Sequence, residues 1–458
     1  MAPRLFSLFT ALVCIGAAVV FFVPPPAGAT AATMHAAALI VLTAGLWALG
    51  SVPEHITALL FFLLAMVLAI ATPQVVFSGF ASATMWLVLG GLFLAEAVTT
   101  TGLGRRFAGM LFDRYTFTYA GWVAAVAVVA TALAFFMPAT VGRILLLVPI
   151  VAALAERVGF THGSAGYTGL MLTAIIITYQ SGTCVLPANA PNLVLAGATE
   201  AVYDVQLIYA GYLWVMFPVL GLLKLPAVVA LVCWLYPAAV RPQSASPVRA
   251  PMSAEERRLA LILVIALVLW ATDFIHGVRA GWIALAAAVA CLLPRIGVLP
   301  VAAFNDVRLG PFFYVGASVG LGALTQDSGL GELLGKTLQA TLNLQAGADF
   351  TNFVALGVLG TLAGLVVTNP AQPAVMTPLA AQFADATGWP LTAALMTSAV
   401  GFNMLLLPYQ VPPVVVGMQA AGVSVRTAMR LTLPLAALGI LVFLPLDYLW
   451  WRLIGYFG

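Results

Sequence analysis

Apolar runs govern what this chain can become. They occupy residues 5–23, 34–50, 56–72, 84–101, 119–137, 141–155, 166–181, 208–236, 259–272, 280–293, 311–326, 352–367, 371–384, 390–406 and 431–451, and most contain no charged residue. About 20 apolar residues carry a helix across a bilayer, where every backbone N–H and C=O must be paired within the segment itself. The fold class is therefore an all-α polytopic membrane protein. The charge content agrees: 7% of the 458 residues are charged and 63% are hydrophobic, whereas soluble domains run at roughly 25% charged. A water-soluble enzyme is excluded. The net charge of +3 leaves no basic stripe for nucleic acid. Cys14, Cys184, Cys233 and Cys291 are scattered without CxxC or Cys/His clustering, and the four histidines are not spaced for ligation. No metal site, disulfide framework or cofactor is expected.

At the N-terminus, Arg4, the run at 5–23 and the small residues Ala27-Gly28-Ala29 resemble a cleavable signal peptide. The run is long enough to span, however, and Pro24, Pro25 and Pro26 mark its exit from the membrane. Residues 1–33 are read as a retained transmembrane helix. The remaining runs are too numerous to be simple spans, and several are short and joined by Pro-containing breaks without charge. Such segments read as re-entrant hairpins or broken helices, because irregular backbone survives at membrane depth only inside protein or beside a wet cavity.

Internal repetition organises these pieces. Gly102-Leu103-Gly104 recurs as Gly329-Leu330-Gly331, a shift of 227 residues. Thr140 and Pro149 have counterparts in Asn369 and Pro378 at a shift of 229, and Leu186-Pro187, Pro191 and Val194 recur as Leu407-Pro408, Pro412 and Val415 at 221. Two halves are expected, 34–237 and 259–458, joined by a cytoplasmic linker at 238–258. Lys and Arg concentrate in cytoplasmic loops. With the N-terminus inside, thirteen arginines (4, 105, 106, 114, 157, 241, 249, 257, 258, 295, 308, 426 and 430) fall on the cytoplasmic side, against Arg279, Lys336 and Arg452 outside. This arrangement needs the 119–155 and 352–384 segments to be re-entrant hairpins. About eleven transmembrane helices then cross, and the halves form two inverted-topology repeats, as in secondary transporters.

The two hairpin turns, Met137-Pro138-Ala139-Thr140-Val141-Gly142-Arg143 and Val367-Thr368-Asn369-Pro370-Ala371-Gln372-Pro373, place small hydroxyl and amide residues where a helix starts. Free N–H groups at a helix start receive anions; alternatively, Pro and Gly merely permit the turn. Arg143 suits a carboxylate or sulfate through a bidentate pair. Its other readings are a helix C-terminus, Glu96, or snorkelling to the cytoplasmic face. Snorkelling is the expected behaviour of Lys224. Glu96 is either a proton-coupling carboxylate or a structural partner, and Asp327 and Glu332 are expected to be solvated. Further breaks at residues 178–192 and 403–413 interrupt apolar helices with prolines and carboxamides. Their freed carbonyls suit an alkali cation or a polar substrate group, and Gly182, Thr183, Asn192, Asn403 and Pro408 are the candidates for it. A kinked helix with satisfied polar groups would have the same composition.

These residues resemble the divalent anion:sodium symporter family. The resemblance lies in Trp86-Leu87-Val88-Leu89-Gly90-Gly91 with Thr101-Gly102-Leu103-Gly104-Arg105-Arg106, in Ala190-Pro191-Asn192-Leu193, and in Leu407-Pro408-Tyr409-Gln410-Val411-Pro412-Pro413, in order from about residue 35 to 440. The family's hairpin tips carry Ser-Asn-Thr motifs that bind carboxylate and help to ligate sodium. The resemblance places Ala139, Thr140 and Val141 on the first motif and Thr368, Asn369 and Pro370 on the second, so that Thr140 and Asn369 serve both substrate and cation. Only Asn369 is identical. Pro138 and Arg143 are similar to the Pro-Ser-Asn-Thr-x-Arg form of the citrate, tartrate and oxoglutarate/malate exchangers. The family implies a secondary transporter of di- or tricarboxylates, with a hairpin-bearing domain moving against a fixed scaffold in an inner-membrane homodimer. The lost Ser and Asn of the first tip leave sodium symport, proton coupling and anion exchange all open. Sulfate is the alternative cargo, and a channel or non-transporting receptor is the alternative class. For an enzyme the sequence offers no His/Asp/Glu cluster.

Overall fold

The computed structural model describes residues 3–26, 28–114, 118–240 and 251–458. Ala27 and residues 241–250 of the expected linker, with Arg241 and Arg249, lie outside the described residues, as do the side chains of Arg4 and Arg114. Every regular element among the described residues is helical. Among the described residues, six helices are long and apolar enough to cross a membrane: Ala31–Leu49, Ala83–Thr101, Tyr119–Phe136, Tyr209–Leu235, Asp349–Val367 and Val425–Leu453. Shorter apolar helices include Leu8–Phe22, Glu54–Val67, Ala280–Leu292 and Leu391–Asn403.

The element ends follow local chemistry. Thr30, Thr118, Ser164, Ser253 and Ser424 each accept a backbone N–H of the first helical turn, which removes one unpaired donor per helix start. The repeated Gly-Leu-Gly is explained by backbone geometry. Gly102 (φ +77°) and Gly329 (φ +74°) both turn in the left-handed region that ordinary side chains avoid. Each ends a long helix and begins an amphipathic one, Leu103–Arg114 and Leu330–Leu342.

One order of elements occurs twice. A pair of helices (Ala31–Leu49 with Glu54–Val67; Ala254–Ala271 with Ala280–Leu292) leads to a long helix (Ala83–Thr101; Gly310–Asp327) and then to the amphipathic one. A hairpin follows, Tyr119–Phe136 with Thr140–Arg157, or Asp349–Val367 with Gln372–Met376 and Ala380–Thr387. Next comes a broken helix, Ala165–Gly182 with Ala190–Tyr203, or Leu391–Asn403 with Pro412–Ala420. Each series closes on a long helix widened by a π segment, Phe217–Leu223 in one and Gly439–Phe443 in the other.

Packing is crosswise between the two series. Ala83–Thr101 lies on Ala280–Leu292, and its counterpart Gly310–Asp327 lies on Glu54–Val67. Small residues permit the close approach that holds helices together in lipid. A Cβ on Gly90 would meet the Ala284 backbone at 2.5 Å, and one on Gly401 would meet the Gly360 Cα at 2.7 Å. The second helix of each hairpin also crosses over: Thr140–Arg157 packs on Pro412–Ala420, and Gln372–Met376 on Ala190–Tyr203. The outer faces stay apolar, with Leu261, Val264, Ile265 and Val268 exposed along one side of Ala254–Ala271. Leu8–Phe22 is seated on Ala31–Leu49, where Phe21 stacks on His35 with ring centroids 4.1 Å apart.

Candidate functional site

The hairpin turns and helix breaks gather at one place. The first break runs from Thr183 to Asn189 around a 3-10 turn at Leu186–Ala188, and the second from Met404 to Val411 around Pro408–Gln410. Prolines forbid the regular helix at both. The freed polar groups are then paired partly within each break, as where the Leu406 and Leu407 N–H groups donate to Gln410 Oε1, and partly across the two series.

The first tip is closed by Arg143, which is 0% exposed. Its Nη1 donates to the Met137 carbonyl at 2.8 Å, and its Nη2 donates to Ala188 O at 2.9 Å and Thr178 O at 3.2 Å, with Thr140 Oγ1 at 3.3 Å. Met137 caps the C-terminal end of Tyr119–Phe136. Of its three readings without an anion, the helix-terminus pairing is the one seen; Glu96 instead accepts from the Thr100 hydroxyl. Gly182 makes room for this guanidinium, since a Cβ there would lie 2.5 Å from Nη2. Thr140 begins its helix as expected, and its hydroxyl donates to Asn189 Oδ1 at 2.9 Å and approaches Ala188 O at 3.1 Å. Pro138 packs where a side chain on Gly91 would collide with it.

At the second tip, Thr368 has φ +73° and ψ 153°. A β-branched residue in the left-handed region is strained by about 1–3 kcal/mol, and such strain gathers at working sites. Asn369 is fully buried and fully partnered: its N–H donates to Gln410 O at 2.9 Å, and its Nδ2 to Phe402 O at 2.9 Å and the Tyr179 hydroxyl at 2.8 Å. Its Oδ1 accepts from Gln410 Nε2 at 3.1 Å. Pro370 lies in the turn, and the helix begins only at Gln372, whose N–H donates to Thr368 O.

The breaks are stitched to one another. Asn403 Nδ2 donates across to the Thr183 hydroxyl, while within the first break Asn192 Nδ2 donates to the carbonyls of Gly182 and Val185, each at 2.8 Å. Pro408 is buried at the start of its 3-10 turn. Asn192 Oδ1 and Gln180 Oε1 are buried without a protein hydrogen-bond partner; both are hard oxygens of the kind an alkali cation takes. Lys224 departs from the expectation that it snorkels. It is 2% exposed, and its Nζ donates to Asn403 Oδ1 at 2.8 Å. Sequence reasoning missed Tyr179 and Gln410 as anchors, and Asp447 altogether. An acid inside an apolar run was the available signal for Asp447.

A cavity of about 1290 Å³ reaches the first tip, where Met137, Ala139, Val141 and Gly142 line it. Its charged lining comes from Glu96, Arg105, Arg106, Arg157, Glu256, Asp306 and Arg308. Arg106 Nε and Glu256 Oε1 are 2.8 Å apart, and that hydrogen bond holds the Glu256 carboxyl below the usual carboxylate range. Ala139 and Val141 thus face the cavity, while Arg143 sits behind them. Glu332 pairs with Lys336 in solvent, as expected of it.

Comparison with known proteins adds four findings. The family model for the sodium:sulfate symporter transmembrane region matches residues 4–457. A "Membrane protein" of Cupriavidus necator is 25% identical over 83% of this chain and 76% of its own length. An "L-tartrate/succinate antiporter" of Escherichia coli (strain UTI89) is 24% identical over 73% of this chain and 72% of its own. Among solved structures, the Alcanivorax borkumensis YdaH transporter shares the fold at a TM-score of 0.59, with 17% identity, covering 99% of this chain and 98% of that one.

Proposed function

The chain belongs to the sodium:sulfate symporter family, the divalent anion:sodium symporters, and from that premise we propose that this membrane transporter carries small di- or tricarboxylates. The observation that supports this reading is the meeting of the two tips on one helix. Arg143 of the first hairpin bonds Thr178 O, and Asn369 of the second bonds the hydroxyl of the next residue, Tyr179. Two helix starts that converge inside an apolar protein form a receptor for a small anion. In this reading the anion enters through the cavity and meets the backbone around Pro138, Ala139, Thr140 and Val141, with Thr368, Asn369 and Pro370 completing the far side. Arg143 holds the first tip in shape and lends it positive charge. Gly182, Thr183, Asn192, Asn403 and Pro408 frame the place for a coupling cation, beside Thr140 and Asn369.

The antiporter relative favours carboxylate over sulfate as the cargo. Transport proceeds by elevator motion of the hairpins and breaks against a scaffold, in an inner-membrane homodimer with a cytoplasmic N-terminus. Counterflow in proteoliposomes tests this, using labelled succinate, L-tartrate, citrate and sulfate with and without sodium. Saturable exchange of a carboxylate is the expected result. Exchange of sulfate alone would reassign the cargo, and flux that neither saturates nor shows counterflow would indicate a channel.

A further inference from the structure

Two opposite charges sit in corresponding places of the two series, each just after its π segment. Lys224 follows Phe217–Leu223 directly, and Asp447 stands one helical turn beyond Gly439–Phe443. Widened turns of this kind recur at functional sites. Asp447 is 0% exposed, and neither carboxylate oxygen has a hydrogen-bond partner. Lys224 spends one hydrogen bond on Asn403, although an ammonium has three donors. A buried carboxylate without donors is costly when ionised unless a nearby cation compensates it, and Lys224 Nζ lies against the helix of Asp447, 4.0 Å from where a Cβ on Gly439 would stand.

The surroundings contain few competitors. Cys184, in the first break, is a buried thiol 3.7 Å from Nδ2 of Asn403, the residue that accepts from Lys224. The Tyr212 hydroxyl is occupied with Thr183 O, and the Tyr179 hydroxyl with Phe402 O and Asn369. On the packed Asp349–Val367 helix, Asp349 accepts from the Trp389 indole at 2.8 Å. On the same helix as Asp447 are Tyr448, ringed by Phe350 and Phe353, and the exposed Arg452.

We propose that Asp447 is the proton-carrying group of the transport cycle, with Lys224 as its fixed counter-charge and the link to the breaks. This rests on the carboxylate-transporter reading above and adds a proton, at a place separate from the breaks, to the ions it couples. The step is a simple one. The Asp447 carboxylate takes a proton from the aqueous phase and becomes the acid, and no other bond changes. The pair then passes from neutral to one net positive charge, carried by Lys224 against Asn403. An anion held between the tips offsets that charge. Linkage requires that the anion favour the protonated acid by the same factor by which the proton favours the anion.

The test uses the whole protein in sodium-free liposomes with a pH-sensitive dye inside and the membrane potential clamped. Adding succinate, L-tartrate or citrate should acidify the lumen of wild-type vesicles. Asp447→Asn should cut proton entry per anion at least tenfold while still exchanging labelled succinate against trapped succinate. Asp447→Glu, which keeps the carboxylate, should retain both. Wild-type anion uptake without proton entry overturns the proposal, as does wild-type proton entry in Asp447→Asn. Loss of exchange along with proton entry in Asp447→Asn, with both normal in Asp447→Glu, also overturns it, by making the residue structural. If wild-type vesicles exchange none of the three anions, the carboxylate reading itself fails, and this inference falls with it.

Discussion

Asn369 and Tyr179, 190 residues apart in the chain, are joined by a 2.8 Å hydrogen bond from the carboxamide to the phenol oxygen. The same phenol donates to the Phe402 carbonyl at the end of the helix that leads into the second break. Three elements from the two halves therefore share one hydroxyl. Removing it should loosen all three without emptying the space that the ring fills.

Tyr179→Phe should accordingly lower stability by about 1–3 kcal/mol, the range for a buried group left short of a partner. A fall in the thermal unfolding midpoint in detergent, with a parallel fall in uptake, would bear this out. An unchanged midpoint would mean that the hydroxyl does not hold the second tip.

Arg143→Ala should abolish uptake and also lower the unfolding midpoint, because the carbonyls of Met137, Thr178 and Ala188 lose their shared donor. Arg143→Lys should rescue little, since an ammonium on a flexible stem does not reproduce the planar fork. A variant that loses substrate affinity with its midpoint unmoved would place the guanidinium on the substrate instead.

Thr368→Gly should relieve the strained backbone at φ +73°. Glycine adopts that region freely, so the midpoint should hold or rise, even after the entropy of about 0.5–1 kcal/mol that glycine loses on folding. Uptake should fall as the tip loses its fixed shape. A sharp drop in the midpoint would show that the Thr368 side chain stabilises more than its backbone costs.

At the charged end of the cavity, Glu256 has a depressed pKa in the folded protein because Arg106 hydrogen-bonds its carboxylate. A depressed carboxyl stabilises the fold above its unfolded value of about 4.3 and loses that contribution as the pH falls through the folded value. Thermal midpoints measured from pH 6 to pH 3 should decline on the acid side, and Glu256→Gln should flatten part of that decline. Identical acid profiles would remove Glu256 from the account.

Much of this arrangement was legible in the sequence. The run expected at 119–137 is the helix Tyr119–Phe136, and that at 166–181 is Ala165–Gly182, because charge and proline mark the ends of apolar helices. The duplicated Gly-Leu-Gly pointed to two matching positions in the chain, and the structure turns in the left-handed region at both. What pattern alone misplaced was the direction of long side chains. Lys224 has a stem that reaches an interface or a buried acceptor equally well, and the choice depends on Asn403, 179 residues away. Asp447 stands three residues before Trp450 and five before Arg452, a setting that reads as a membrane boundary although its carboxylate is enclosed. Arg143 was identified as the central charge of its tip, but its partners are carbonyls, which leave no mark in composition. The second tip starts its helix at Gln372, three residues beyond Asn369, so the likeness between the two turns is one of position more than of geometry.

The crosswise seating of Ala83–Thr101 on Ala280–Leu292 and of Gly310–Asp327 on Glu54–Val67 has a consequence for biogenesis. Neither half can seal its own flank, so the early helices must wait in the lipid, incompletely partnered, until the ribosome has delivered the later ones. Maturation is thus a late event shared by the two series, and a premature stop before Gly310–Asp327 is complete should leave a product marked for degradation rather than a smaller working protein.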